Sequence, residues 1–145
     1  MDVCIREFTM LSYQLLLLLT ISSFTYGFLG RKKNITVTGE LNCGRNYYSN
    51  VKVELWEADT FDRDDKLNST QTDKMGQFTV FGSTREIRNI EPYLKVHHFC
   101  KDGQHDVRCE ITDRFDVPKQ YQGKTYRLGL VDLSTPTKKR KTKCH

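Results

Sequence analysis

The chain has 145 residues, 23 basic against 18 acidic side chains and a formal net charge of +5. That size suits one ordinary domain with a modest core. A single apolar run near the start, with none later, argues against any membrane span in the rest of the chain.

Arg6 precedes the apolar run, which extends from Met10 to Ile21 and is richest at residues 15–19. About a dozen residues fall short of the roughly 20 that cross a bilayer. Thr25 and Gly27 then occupy the −3 and −1 positions of a cut before Phe28. Residues 1–27 therefore read as a cleaved secretory leader. The expected organisation is a leader at 1–27, a β-sandwich domain at 28–137 and a basic tail at 138–145.

Residues 35–41 read as the first strand, with Ile35, Val37 and Leu41 on one face. Asn42, Cys43 and Gly44 end it. In residues 51–56, Val51, Val53 and Leu55 alternate with Lys52, Glu54 and Trp56, the period of a half-buried strand. An acidic stretch carrying Asp59, Asp62, Asp64 and Asp65 breaks that alternation. Strands are expected again at 67–72 and 77–81, joined by a tight turn. There Asp73 can accept from amides ahead of it, and Gly76 can adopt positive φ. Gly82, Ser83 and Thr84 predict a cap for a short helical turn over 86–90. Strands follow at 93–99, 109–115 and 125–133, with turns at 116–118 and 121–123. Seven to eight short strands with frequent turn signals give an all-β sandwich with at most one helical turn.

Four cysteines remain once Cys4 leaves with the leader: Cys43, Cys100, Cys109 and Cys144. An even count in a secreted chain predicts two disulfides, with three connectivities open in principle. Cys100 and Cys109 bracket a short polar loop and form the natural local pair, leaving Cys43 with Cys144. Asn34 and Asn68 each open an acceptor sequon for N-glycosylation.

Several segments in order carry a resemblance. Residues 51–57 read VKVELWE, 73–78 DKMGQF, 90–100 IEPYLKVHHFC and 116–121 DVPKQY. A strand ending at Cys43 precedes them and a terminal strand at 126–133 follows. This layout resembles the transthyretin-like family of nematode secreted proteins and covers residues 37–133. The resemblance implies the transthyretin-like (prealbumin-like) sandwich topology. One family member is described as linking phosphatidylserine on dying cells to a phagocyte receptor, so the resemblance allows a lipid-to-receptor bridging role.

No catalytic residues, cofactor or metal site are expected. The wider transthyretin superfamily includes hydroxyisourate hydrolases with spaced His and Arg residues and a terminal Tyr-Arg-Gly-Ser. Here Tyr126 and Arg127 are followed by Leu128 and Gly129 inside a strand. His97, His98, His105 and His145 supply neither a positioned base nor a stabiliser of developing charge. On a strand, His97 and His98 point to opposite faces and cannot chelate together. Asp62 and Asp64 match part of a calcium loop, but Arg63 and Lys66 spoil it. Cys100 and Cys109 with His97 and His98 match no zinc spacing. Asp113 and Asp116 read as turn formers.

The body, residues 34–137, holds 14 basic and 16 acidic side chains, so the surplus positive charge lies at the ends. Lys138, Lys139, Arg140, Lys141 and Lys143 form the densest cluster. Outside a cell such a run attracts sulfated glycans or anionic lipid, each cation adding about 1 kcal/mol near an anionic membrane. Phe28, Leu29 and Trp56 are scattered exposed apolar candidates. The function expected is a secreted, non-enzymatic binding protein contacting an extracellular receptor, anionic lipid or sulfated glycan. No nucleic acid is expected as a partner. The alternative is a carrier of a small hydrophobic ligand.

Overall fold

A computed structural model of the chain describes residues 12–19, 30–59, 63–86 and 89–145. It separates into two units, Met1–Arg31 and Lys32–His145. In the first unit residues 12–19 are helical. No helix among the described residues is long and apolar enough to cross a membrane. The cut expected around Thr25, Gly27 and Phe28 lies outside the described residues, as do Cys4, Arg6, Leu29 and Asp62.

The second unit is built of strands. They are β1 (Arg31–Cys43), β2 (Asn46–Tyr47), β3 (Lys52–Glu57), β4 (Asp65–Gln71), β5 (Gln77–Glu86) and β6 (Pro92–His98). Then come β7 (Cys100–Lys101), β8 (Gln104–His105), β9 (Cys109–Asp116), β10 (Thr125–Asp132) and β11 (Lys141–Cys144). A 3-10 turn at Lys119–Tyr121 precedes β10. One sheet runs β10-β1-β2, with β5 also on β1; the other is five-stranded in the order β11-β9-β6-β3-β4. β1 and β10 are parallel, whereas the pairs of the five-stranded sheet are antiparallel.

Period-two alternation builds the interior. Val53 and Leu55 from β3, Leu94 and Val96 from β6, Phe78 and Val80 from β5, and Ile35, Val37 and Leu41 from β1 form one buried cluster. Each fully buried branched aliphatic contributes about 1.5–3 kcal/mol. The turn from β4 to β5 follows the expected chemistry. Asp73 Oδ1 accepts from the amides of Met75 and Gln77 at 2.8 and 2.9 Å, and Gly76 has φ +74°.

The helical turn expected after Thr84 is not what these residues form. β5 continues through Gly82, Ser83 and Thr84 to Glu86, because β1 offers a partner strand and the β-branched Thr79, Val80 and Thr84 suit it. Gly82 serves packing rather than capping: a Cβ there would lie 2.7 Å from Leu67 Cβ and 2.8 Å from Leu55 Cδ2. Ile87 and Arg88, in the same expected turn, lie outside the described residues.

The disulfides also differ from the expected pairing: Cys43 joins Cys100, and Cys109 joins Cys144. The reason is where the β6–β9 ladder stops. Its last pair is His98 with Ile111, after which the chain turns away into the β7–β8 ribbon. Cys100 is fully buried and reaches Cys43 at the end of β1, tying the first sheet to the β7–β8 ribbon. Cys109 faces Cys144 directly in the β9–β11 ladder. The basic run is accordingly no loose tail, since Lys141–Cys144 is the edge strand of the five-stranded sheet.

Candidate functional site

The face of the five-stranded sheet turned away from the core concentrates the polar chemistry. Alternation places Lys52, Glu54 and Trp56 of β3 there, with Tyr93, Lys95 and His97 of β6 and Thr112 and Arg114 of β9. Lys141 of β11 is opposite Thr112 and Lys143 opposite Glu110.

Glu54 anchors one end of this face. Although nearly buried, it receives Lys52 Nζ at 2.8 Å, Trp56 Nε1–H at 3.0 Å and His97 Nε2–H at 3.1 Å. Burial alone would raise its pKa, but these donors outweigh it and hold the carboxyl at about 2. Thr112 Oγ1–H donates to the other ring nitrogen of His97 at 3.2 Å. His97 is thus a structural link between β3 and β9.

Two cations lie on rings beside it. Lys95 Nζ is 3.6 Å from the centroid of Trp56, and the Arg114 guanidinium is 3.5 Å from that of Tyr93. Trp56 and Tyr93 stack at 6.5 Å. The Tyr93 hydroxyl donates to Asp64 at 2.5 Å, and burial, then that carboxylate, push its pKa up. Of the acidic stretch, Asp64 therefore fastens the loop over this face, and Asp65 begins β4.

Beneath the face runs a buried charge network. Asp113, expected at a turn, is a fully buried mid-strand residue of β9. It accepts from Arg140 Nε at 2.8 Å, Arg140 Nη2 at 2.6 Å, Thr137 Oγ1–H at 2.8 Å and His98 Nε2–H at 3.0 Å. The burial that would raise its pKa is overcome by Arg140, His98 and Thr137, which hold it well below the ordinary carboxylate range. The Cys100 amide donates to His98 Nδ1 at 3.1 Å. Asp116, at the end of β9, accepts from Lys139 at 2.5 Å and Arg114 at 2.8 Å.

The five residues expected to meet anionic surfaces thus divide. Lys138, Lys139, Lys141 and Lys143 are exposed, whereas Arg140 is committed to Asp113 and to the carbonyls of Leu133 and Thr135. Asn34 is exposed on β1. Asn68, exposed on β4, donates its amide to the Phe81 carbonyl at 2.6 Å. The histidines are dispersed: His97 and His98 on opposite faces of β6, His105 against the Tyr48 hydroxyl, and His145 at the chain end. Among the described residues no group of three or more His, Cys, Asp or Glu could hold a metal ion. Lys95 and Arg114 escaped notice in the sequence because their adjacency depends on register. Their outward positions in alternating strands were the available signal.

The arrangement defines a disulfide-braced, two-sheet protein with a basic outer face. Residues 38–118 match the transthyretin-like family. Transthyretin-like protein 2 of Caenorhabditis elegans is 40% identical over 74% of this chain and 79% of its own length. Transthyretin-like protein 16 of the same nematode is 37% identical over 79% of this chain and 85% of its own. This chain belongs to the transthyretin-like family. Among solved structures, a 9R-lipoxygenase from Cyanothece aligns at TM-score 0.43 and 18% identity over 68% of this chain and 16% of that one. So distant a likeness carries no argument.

Proposed function

We propose that the protein is secreted after removal of residues 1–27, carries glycans at Asn34 and Asn68, and works outside the cell by binding rather than catalysis. Its partner is an anionic lipid or sulfated glycan surface or a receptor at the cell surface. Residues 28–137 form its body, and the basic run at 138–145 supplies the contact. One observation carries this reading: Lys141 and Lys143 extend from an edge strand whose four residues are all exposed. A strand fixed before contact loses less entropy on binding than a loose tail. Two disulfides suit an oxidising compartment. The non-enzymatic reading is supported by the engagement of His97, His98 and Asp113 in structural hydrogen bonds.

The test replaces Lys138, Lys139, Lys141 and Lys143 by Gln and keeps Arg140, whose loss would disturb the interior. Retention of the secreted protein on heparin and on phosphatidylserine vesicles is measured across a salt series. Loss of salt-sensitive retention on at least one surface is expected. Unchanged retention on both contradicts the reading.

A further inference from the structure

Lys95 and Arg114 are directly opposite one another across β6 and β9. Like charges in that position destabilise a sheet. Each is held instead over an aromatic ring, Lys95 on Trp56 at 3.6 Å and Arg114 on Tyr93 at 3.5 Å. Arg114 also has carboxylates nearby, Asp116 at 2.8 Å and Asp64 at 4.0 Å. Lys95 and Lys141 have none within 4.0 Å among the described residues. Together with Thr112 and Lys139 these cations line an open groove of about 440 Å³ over Tyr93.

The geometry points to this groove as a binding site for the sulfate groups of a sulfated polysaccharide, with the Lys95–Arg114 pair as its centre. It rests on the anionic-partner reading above and gives that partner a chemical class and a place. An oxyanion lying on the face over the two strands relieves the repulsion between facing cations and takes charge-assisted hydrogen bonds from both. Lys141 and Lys143, alternate residues on β11, stand about 7 Å apart along the strand. They continue the positive surface beyond the groove, as a linear polyanion requires.

A membrane surface fits this face less well. Among the described residues of the Lys32–His145 unit, the large exposed apolar side chains are Tyr47, Met75, Phe81, Val107 and Leu130. None belongs to the five strands of this sheet. Interfacial binding gains most of its strength from buried apolar area, which this face does not offer. Hydrated sulfate esters need only cations and hydroxyl donors.

Trp56 is the sole tryptophan of the chain and lies beneath Lys95, so its fluorescence reads the site directly. A heparin octasaccharide is titrated into the secreted full-length protein, alongside its desulfated form, inorganic sulfate and phosphatidylserine vesicles. The expected result is a saturable change in Trp56 emission with the sulfated octasaccharide, absent with the desulfated one. Lys95→Glu, scored for folding by its thermal midpoint, is expected to weaken octasaccharide binding roughly tenfold, while Lys124→Glu, in the turn before β10, leaves it intact. Arg114→Gln, scored for folding by its thermal midpoint, gives a second reading of the centre.

If the Gln variants at Lys138, Lys139, Lys141 and Lys143 lose octasaccharide binding but Lys95→Glu does not, the groove is overturned and the anionic-surface function stands. The groove is likewise overturned if vesicles bind and the octasaccharide does not compete. If neither octasaccharide nor vesicle binds, the groove and the anionic-surface reading both fail. Quenching by inorganic sulfate alone, without octasaccharide binding, also overturns the polysaccharide assignment.

Discussion

Arg140 grips both carboxylate oxygens of Asp113, its Nε 2.8 Å from Oδ1 and its Nη2 2.6 Å from Oδ2. The same guanidinium donates to the carbonyls of Leu133 and Thr135. A residue from the basic run therefore fastens the segment after β10 to the middle of β9, with His98 and Thr137 completing the shell.

Arg140→Gln is expected to cost about 3–5 kcal/mol in denaturant unfolding, because it strands a buried carboxylate. Arg140→Lys recovers only part, since an ammonium cannot make the two-pronged contact. The folded pKa of Asp113 is depressed, so its contribution is present above the ordinary value of 3.8 and is lost as pH falls below it. The difference between wild type and Arg140→Gln should shrink in that acid range. A pH-independent difference would contradict the assignment.

Glu57 behaves in the opposite sense. Burial, then the charges of Glu86, Asp59 and Asp65, raise its carboxyl from 4.5 to about 6 despite the Glu91 amide. A raised folded pKa gives stability that is complete below 4.5 and lost as pH rises through 6. Glu57→Gln should therefore raise stability by about 1 kcal/mol above neutrality and change little near pH 4. Thermal melts at the two pH values compare the variants. An equal effect at both would refute the proposed cause.

Gly76 and Gly129 both have positive φ, +74° and +81°. A Cβ on Gly76 would come within 2.3 Å of the Leu41 carbonyl oxygen, whereas one on Gly129 meets nothing within 4 Å. Gly129→Ala is expected to cost about 1–2 kcal/mol from backbone strain alone. Gly76→Ala should cost clearly more, because backbone must shift as well. Equal destabilisation in urea would mean that the close approach to Leu41 contributes nothing.

The disulfides should differ in accessibility. Cys100 is fully buried and Cys43 nearly so, whereas Cys144 is exposed on the edge strand. Chain-entropy estimates for separations of 57 and 35 residues differ by less than about 1 kcal/mol, so exposure decides. Brief reduction of the native protein followed by alkylation should label Cys109 and Cys144 first. Simultaneous labelling of all four cysteines would contradict this order.

Much of the fold was legible because period-two alternation is local. β3, with Val53 and Leu55 inward, and the Asp73–Gly76 turn follow directly from neighbouring residues. So do the opposite faces of His97 and His98. What escaped depends on contacts distant in sequence. Glu86 belongs to a strand because β5 pairs with β1. Cys100 avoids its near neighbour because the chain leaves the ladder after His98. Asp113 looks like a turn residue until Arg140, 27 positions later, is brought beneath it. The candidate site is a product of register, and no local pattern announces that Lys95 faces Arg114.

The account depends on a C-terminal run built into the sheet by a covalent bond to β9. A peptide map of the secreted, unreduced protein tests it most directly. The expected linked peptides join Cys43 to Cys100 and Cys109 to Cys144. A Cys100–Cys109 link, or free thiols at these four positions, would contradict it.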